Sequence, residues 1–214
     1  MATYEAPPAY QPERLPPPGN VTYEEFLNWC DEDTHAEWVG GEIEMTSPAS
    51  LGHQDLIAFL LGLLRRWVRV HDLGVIIQAG FQMHLPPPVN RGREPDLIFV
   101  AKAHLHRLQP TYLEGPADVA IEVTSPESLR RDRQIKLDEY ERAGVPEYWL
   151  LDTLIRQATF YDLGPGGHYR IAFMGATGIF QSQVLSGLQL PVAWLWQNPL
   201  PDDFDALRAL GLLP

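Results

Sequence analysis

The chain has 214 residues, of which 45% are hydrophobic, enough for a packed core and against a disordered protein. No apolar stretch reaches the roughly 20 residues that a membrane-spanning helix needs, and residues 1–19 lack the basic start and apolar run of a secretory signal. Against 28 Asp and Glu stand 16 Lys and Arg, a net charge of −12, which disfavours binding to nucleic acid unless a local basic patch offsets it.

In chain order, residues 1–19 carry six prolines and read as a flexible, Pro-rich tail, with a single domain expected over 20–214. Thr22 and Glu25 form a capping-box pattern that predicts a helix over 22–31. Residues 36–39 and 42–45, joined by Gly40-Gly41, predict a hairpin. From about Ser50 a longer helix follows, with Leu56, Phe59, Leu60, Leu63, Leu64 and Trp67 on one face. Strands are expected at 75–78, 80–85, 97–100 and 119–123, then a helix over 129–143 ending before Gly144, and a strand at 147–151. Residues 155–162 and 168–173 predict an antiparallel pair, 178–185 a further strand and 202–210 a short helix. This order implies an α/β fold: a mixed sheet flanked by helices, with additional antiparallel β structure near the C-terminus. There is no internal repeat, and no glycine-rich phosphate loop follows a strand. The single Cys30 has no partner for an internal disulfide and favours a reducing cytoplasm.

Asp96 and Glu122 lie at strands that are otherwise apolar, where an uncompensated charge is costly. Adjacent strands run about 4.8 Å apart, so two such carboxylates can share a hard cation, and an all-oxygen site favours Mg²⁺ or Mn²⁺ over zinc. The Val123 carbonyl is a candidate further ligand. So are Glu37 and Glu44, and strand alternation alone does not say which of these two faces inward; Glu37 enters the expected ligand set. On the helix over 129–143, Leu129, Asp132, Lys136, Tyr140 and Ala143 share one stripe, which carries Asp132 and Lys136 inward. The bland alternative is a solvated Asp132–Lys136 ion pair. A lysine at the metal orients the attacking water or stabilises phosphorane charge. His53 is a candidate phosphate ligand or general base, the alternative being a capping or packing residue.

Other groups have structural readings. Trp149, Trp194 and Trp196 are expected as core or edge aromatics. His84, His104, His106 and His168 show no metal-ligand spacing, and Ser47 and Ser125 lack a nucleophile elbow. Three arginine groups are candidate basic patches: Arg65-Arg66 with Arg69, Arg91 with Arg93, and Arg130-Arg131 with Arg133, the last beside the acidic pair.

Gly52-His53-Gln54, Glu94-Pro95-Asp96, Ile121-Glu122-Val123-Thr124-Ser125-Pro126, Arg131-Asp132-Arg133, Lys136, Tyr140 and Ala143-Gly144-Val145-Pro146-Glu147-Tyr148-Trp149 together resemble the Uma-two family of restriction-endonuclease-like proteins, within the PD-(D/E)XK nuclease superfamily. The resemblance covers roughly residues 20–165. It implies a restriction-endonuclease-like core with Asp96 and Glu122 as the metal-binding acids. The usual lysine of the superfamily sits two residues after the second acid, a place held here by Thr124; the resemblance implies that the basic residue is displaced onto the following helix, at Lys136.

The leading expectation is therefore an endonuclease that hydrolyses DNA with Mg²⁺ or Mn²⁺, with no membrane partner; a homodimer would suit cutting of two strands. The alternatives are a non-catalytic binding or regulatory module on the same fold, and a metal-dependent hydrolase of a small phosphodiester.

Overall fold

The computed structural model of the chain describes residues 16–17, 19–31, 34–45, 49–125, 128 and 130–213. Nearly all of the Pro-rich stretch, and with it Ser47, Pro126 and Leu129, lies outside them. The first helix, α1 (Tyr23–Trp29), opens on the expected capping box: Glu25 N–H donates to Thr22 Oγ1 at 3.2 Å, and Thr22 N–H to the Glu25 carboxylate at 2.8 Å. The hairpin of β1 (Ala36–Val39) and β2 (Glu42–Met45) turns on Gly40 and Gly41, both with positive φ, as a tight two-residue turn requires. The long helix α2 (Leu51–Val70) buries the predicted stripe from Leu56 to Trp67.

Strands β3 (Gly74–Gln78), β4 (Gln82–Leu85), β5 (Arg91–Arg93) and β6 (Leu97–Ala101) follow. Next come β7 (Tyr112–Glu114), β8 (Val119–Thr124), α3 (Lys136–Ala143) and β9 (Glu147–Asp152). The chain ends with β10 (Gln157–Leu163), β11 (Tyr169–Gly175), β12 (Ile179–Gln181), β13 (Gln189–Pro191) and α4 (Asp203–Ala209). These strands form a six-stranded sheet in the order β11-β10-β9-β8-β6-β3, a five-stranded sheet β2-β1-β5-β4-β7, and the β12–β13 pair. The six-stranded sheet is mixed: β8 and β9 run parallel across the α3 crossover, and its other pairs are antiparallel. The expected α/β fold with a central mixed sheet and a C-terminal antiparallel addition is what the chain adopts.

Both faces of the large sheet are covered. Leu97, Phe99, Ile121, Val123, Trp149 and Leu151 pack beneath α2 and the C-terminal segment. Ile98, Val100, Ala120, Tyr148 and Leu150 face α3 and the β4 residues Met83 and Leu85. By alternation, Asp96 and Glu122 point to this second face. Trp194 and Trp196 pack against the first core, as expected of structural aromatics.

Three differences from the sequence expectation matter for the site. The helix over 129–143 is not uniform: residues Arg131–Ile135 form a wide π turn before α3, with Lys136 N–H bonded to the Arg131 carbonyl five residues back. The short strands β5 and β7 carry no alternating apolar pattern and escape a periodicity reading. The strand expected over 178–185 shrinks to β12, because Ser182 turns inward to Glu147. That carboxylate is 0% exposed and accepts from Trp149 Nε1 (2.6 Å), Ser182 Oγ (2.8 Å), and the N–H groups of Gln183 (3.0 Å) and Val184 (3.3 Å).

Glu147 thus pins the C-terminal segment to the sheet. Glu147→Ala, which strands buried donors, is expected to cost roughly 3 kcal/mol of unfolding free energy, and Glu147→Gln, which keeps one acceptor, distinctly less; urea denaturation of the two variants checks this.

Candidate active site

Asp96 precedes β6, and its position follows from strand register. Leu97 pairs with Ile121, so Asp96 stands opposite Glu122 one step beyond the ladder. Its carboxylate bridges two elements: Oδ2 accepts the Val123 N–H at 2.7 Å, and Oδ1 lies 3.0 Å from His53 Nε2. His53 reaches it from the first turn of α2, which Ser50 caps. Glu122 is 4% exposed, and its Oε1 accepts from Lys136 Nζ at 2.8 Å and from Tyr140 Oη at 2.7 Å.

Lys136 is itself only 2% exposed. Besides Glu122 it meets Glu37 Oε1 at 3.0 Å and Asp132 Oδ1 at 3.8 Å. The Asp132–Lys136 pair is therefore a buried contact within a larger cluster, not a solvated one. Of the two hairpin glutamates, Glu37 faces inward and Glu44 is exposed. Both Glu37 oxygens are engaged: Oε1 by Lys136 and by the Glu94 N–H at 3.1 Å, Oε2 by Arg93 Nη1 at 2.8 Å. Arg93 also grips Glu139 with Nε at 2.7 Å and Nη2 at 2.9 Å, and Arg91 Nε reaches the same carboxylate at 3.0 Å.

The structure thus joins Asp96, Glu122, Lys136, Glu37, Val123 and His53 in one neighbourhood, and adds groups whose part the sequence did not signal. Tyr140 is legible as an inward residue, but nothing in its spacing announces a hydroxyl bonded to Glu122. Arg93 reads as part of a surface patch and is instead 1% exposed and fully ion-paired. Asp132 is legible as inward, but not its state: Oδ1 is buried without a hydrogen-bond partner. The π turn that carries it is held by Tyr148, whose hydroxyl donates to the Asp132 carbonyl at 3.0 Å. Thr124, at the strand position of the superfamily lysine, has a buried hydroxyl with no partner. Four further histidines named from the sequence have structural partners: His84 with Glu114, His104 with Asp118, His168 with Glu141, and His106 with the Ala103 carbonyl.

Burial and charge set the protonation pattern. Burial pushes the Glu122 carboxyl up to about 8, the Lys136 ammonium pulls it down, and the carboxylates of Asp132, Asp96 and Glu37 add to the rise. Burial also raises Asp132, against the pull of Lys136. For Lys136 burial acts the other way, but the three carboxylates around it outweigh burial and keep the amine protonated. The two partners' shifts pull against each other, and the ammonium is the firmer of the pair because it faces three acids while Glu122 faces one cation. Burial would raise Glu37, yet Lys136, Arg93 and Arg131 hold it at about 2. Burial would lower His53, but its hydrogen bond to Asp96 and that residue's charge raise it.

The donor set fits a hard divalent cation. It consists of oxygens, it is richer in acid than in base, and it leaves Asp132 Oδ1 as a buried acceptor with no donor. Among the described residues no three His, Cys, Asp or Glu side chains form a ready-made metal cage.

Comparison with known proteins agrees with this architecture. A family model, Uma2, described as "Putative restriction endonuclease", matches residues 23–193. Among solved structures, one described as "a putative nuclease belonging to DUF820 from Anabaena variabilis ATCC 29413" superposes with a TM-score of 0.69, at 15% identity, over 82% of this chain and 97% of that one. No curated protein matches.

Lys136→Met should leave its carboxylates unmatched and cost about 3–5 kcal/mol at neutral pH. The sign with pH follows from Glu37, whose lowered pKa gives stability that is complete above its unfolded value of 4.5 and is lost as pH falls toward about 2. The gap between wild type and variant is therefore expected to narrow below pH 4.5, as read by denaturation at several pH values.

Proposed function

The chain belongs to the Uma2 family of restriction-endonuclease-like proteins, and from that membership we propose that it is a Mg²⁺- or Mn²⁺-dependent nuclease acting on DNA. The observation that carries the reading is the buried Lys136 ammonium 2.8 Å from Glu122, on the sheet face shared with Asp96. An acid excess around one lysine is what a cation-binding centre requires.

In this reading Asp96 and Glu122 would hold the cation, with the Val123 carbonyl as a further ligand. The Val123 N–H and His53 fix the orientation of the Asp96 carboxylate. Glu37, paired with two cations, serves to hold Lys136 and Arg93 in place instead of binding the metal. A bound divalent cation supplies a coordinated water of lowered pKa and neutralises phosphate oxygens. Lys136, kept protonated, does not act as a base; it would offer its ammonium to the charge that develops on the non-bridging phosphate oxygens. Asp132 Oδ1, a buried acceptor without a hydrogen-bond partner, would take a hydrogen bond from the attacking water. Thr124 donates no charge, so the helix lysine alone supplies it. The single Cys30 suits a reducing cytoplasm, and a homodimer would bring two centres to two strands.

A second reading, hydrolysis of a small phosphodiester, is favoured by the net charge of −12.

With Mg²⁺ or Mn²⁺, supercoiled plasmid or single-stranded DNA should be cleaved by the wild type, and Asp96→Asn and Lys136→Ala should each lose at least about 100-fold in rate, the scale of a lost transition-state contact. Cleavage of bis(p-nitrophenyl) phosphate without cleavage of any DNA would favour the second reading. Since Glu122 releases its proton only as pH approaches about 8, Mn²⁺ affinity should rise with pH up to that value, with proton uptake by the buffer seen calorimetrically.

A further inference from the structure

A cleft of about 550 Å³ is bounded by Arg91, Arg93, Arg130, Arg131, Glu44 and Glu139, and Arg93 on its wall is paired with Glu37, the partner of Lys136. We propose that it is a subsite for the phosphodiester backbone of a nucleic-acid strand, which it holds beside the carboxylate centre. The proposal rests on the nuclease reading and names how an acidic protein grips its substrate.

The charges in the cleft do not cancel. Glu139 is matched by Arg91 and Arg93, and Arg93 also answers Glu37, so these four groups form a closed internal set. Glu44 is exposed and lies 3.8 Å from Arg93. Arg130 is exposed and, among the described residues, has no hydrogen bond or ion pair. Arg131 lines the cleft and makes no side-chain hydrogen bond among the described residues; its Nε is buried 3.8 Å from Asp132 Oδ1, which leaves the outer guanidinium nitrogens for a ligand. Two guanidiniums with unused donors therefore face a cleft in a chain that carries 28 acids against 16 bases. A planar guanidinium fork matches the oxygens of a phosphate in a way that a lysine does not.

Position and shape point to a strand and not to a lone anion. Arg131 precedes Asp132 directly in the π turn, so the cleft and the carboxylate centre share one stretch of backbone. A second hollow of about 510 Å³ shares Val39 and Arg91 with the first and extends it past the β1–β2 turn along Gly40 and Glu42. Two neighbouring hollows that share Val39 and Arg91 offer more room than one phosphate requires. The approach of phosphate to an overall negative surface would then depend on this one basic passage.

The test is equilibrium binding of a fluorescent single-stranded 20-mer DNA in EDTA, so that no cleavage occurs, at several salt concentrations. The proteins are wild type, Arg130→Gln, Arg131→Gln, the double variant, and Arg65→Gln as an exposed control on α2. Each cleft variant is expected to bind about 3- to 10-fold more weakly and to reduce the slope of log K against log salt by roughly 0.7, the value for one single-strand phosphate contact; Arg65→Gln should change neither. Thermal melts confirm that the variants are folded, and Arg130→Gln, at an exposed side chain, provides the result even if Arg131→Gln perturbs the π turn. Equal affinity and slope in wild type and Arg130→Gln would overturn the proposal, as would no binding by wild type. Inorganic phosphate that binds wild type as tightly as the 20-mer would also overturn it, by making the cleft a small-anion site. Binding as expected, combined with no cleavage when metal is added, leaves the subsite standing and sinks the nuclease reading alone.

Discussion

Taking an ammonium out of water costs several kcal/mol unless opposite charge meets it in good geometry, and at Lys136 that requirement organises the molecule. The lysine projects from α3; Glu122 meets it from the six-stranded sheet, and Glu37 from the five-stranded one. Arg93 then ties Glu37 back to Glu139 on α3. Helix and both sheets are closed around one chain of alternating charge, and the apolar packing of Tyr140, Tyr148 and Leu150 surrounds it. The ion pairs add little net energy by comparison with that packing, but they fix which register of helix against sheets is tolerable.

The distribution of charge is uneven in a way that separates two tasks. On the Asp96–Glu122 side acids outnumber bases, and a buried oxygen of Asp132 lacks a donor. In the cleft walled by Arg91 and Arg93 the balance reverses, with Arg130 and Arg131 facing open volume. Glu37 stands between the two regions and is itself neutralised from both, by Lys136 on one side and Arg93 on the other. The net charge of the whole chain therefore says little about the field at either place.

Much of the frame was legible in the sequence because it rests on periodicity and caps. The α2 stripe, the Thr22–Glu25 box and the Gly40-Gly41 hairpin each state their geometry locally. Asp96 and Glu122 stood out because a charge in an apolar strand demands an explanation, and their register placed them opposite each other. The Asp132–Lys136–Tyr140 ladder was legible too, though a step of four residues overshoots one α-helical turn and should drift around the cylinder; the π turn absorbs that drift. What remained hidden depends on partners far away in the chain. Arg93 looks like any surface arginine until Glu37 and Glu139, 56 and 46 residues away, close over it. β5 and β7, of three residues each, are strands only because neighbours pair with them. Glu147 reads as an ordinary strand acid, and its role appears only when Ser182 arrives.

Where a positive charge is rooted decides what keeps it aimed. A lysine at the Thr124 position would be set by the pleat of β8, whose hydrogen bonds to β9 fix each side-chain direction. Lys136 instead stands on a helix, so its aim is inherited from how Tyr140 seats against Tyr148 and Glu122, with ring centroids 5.1 Å apart. The strand acids take their places from the sheet alone, whereas the ammonium depends also on how α3 is seated. One tyrosine contact therefore bears on the aim of the charge and not on that of the acids.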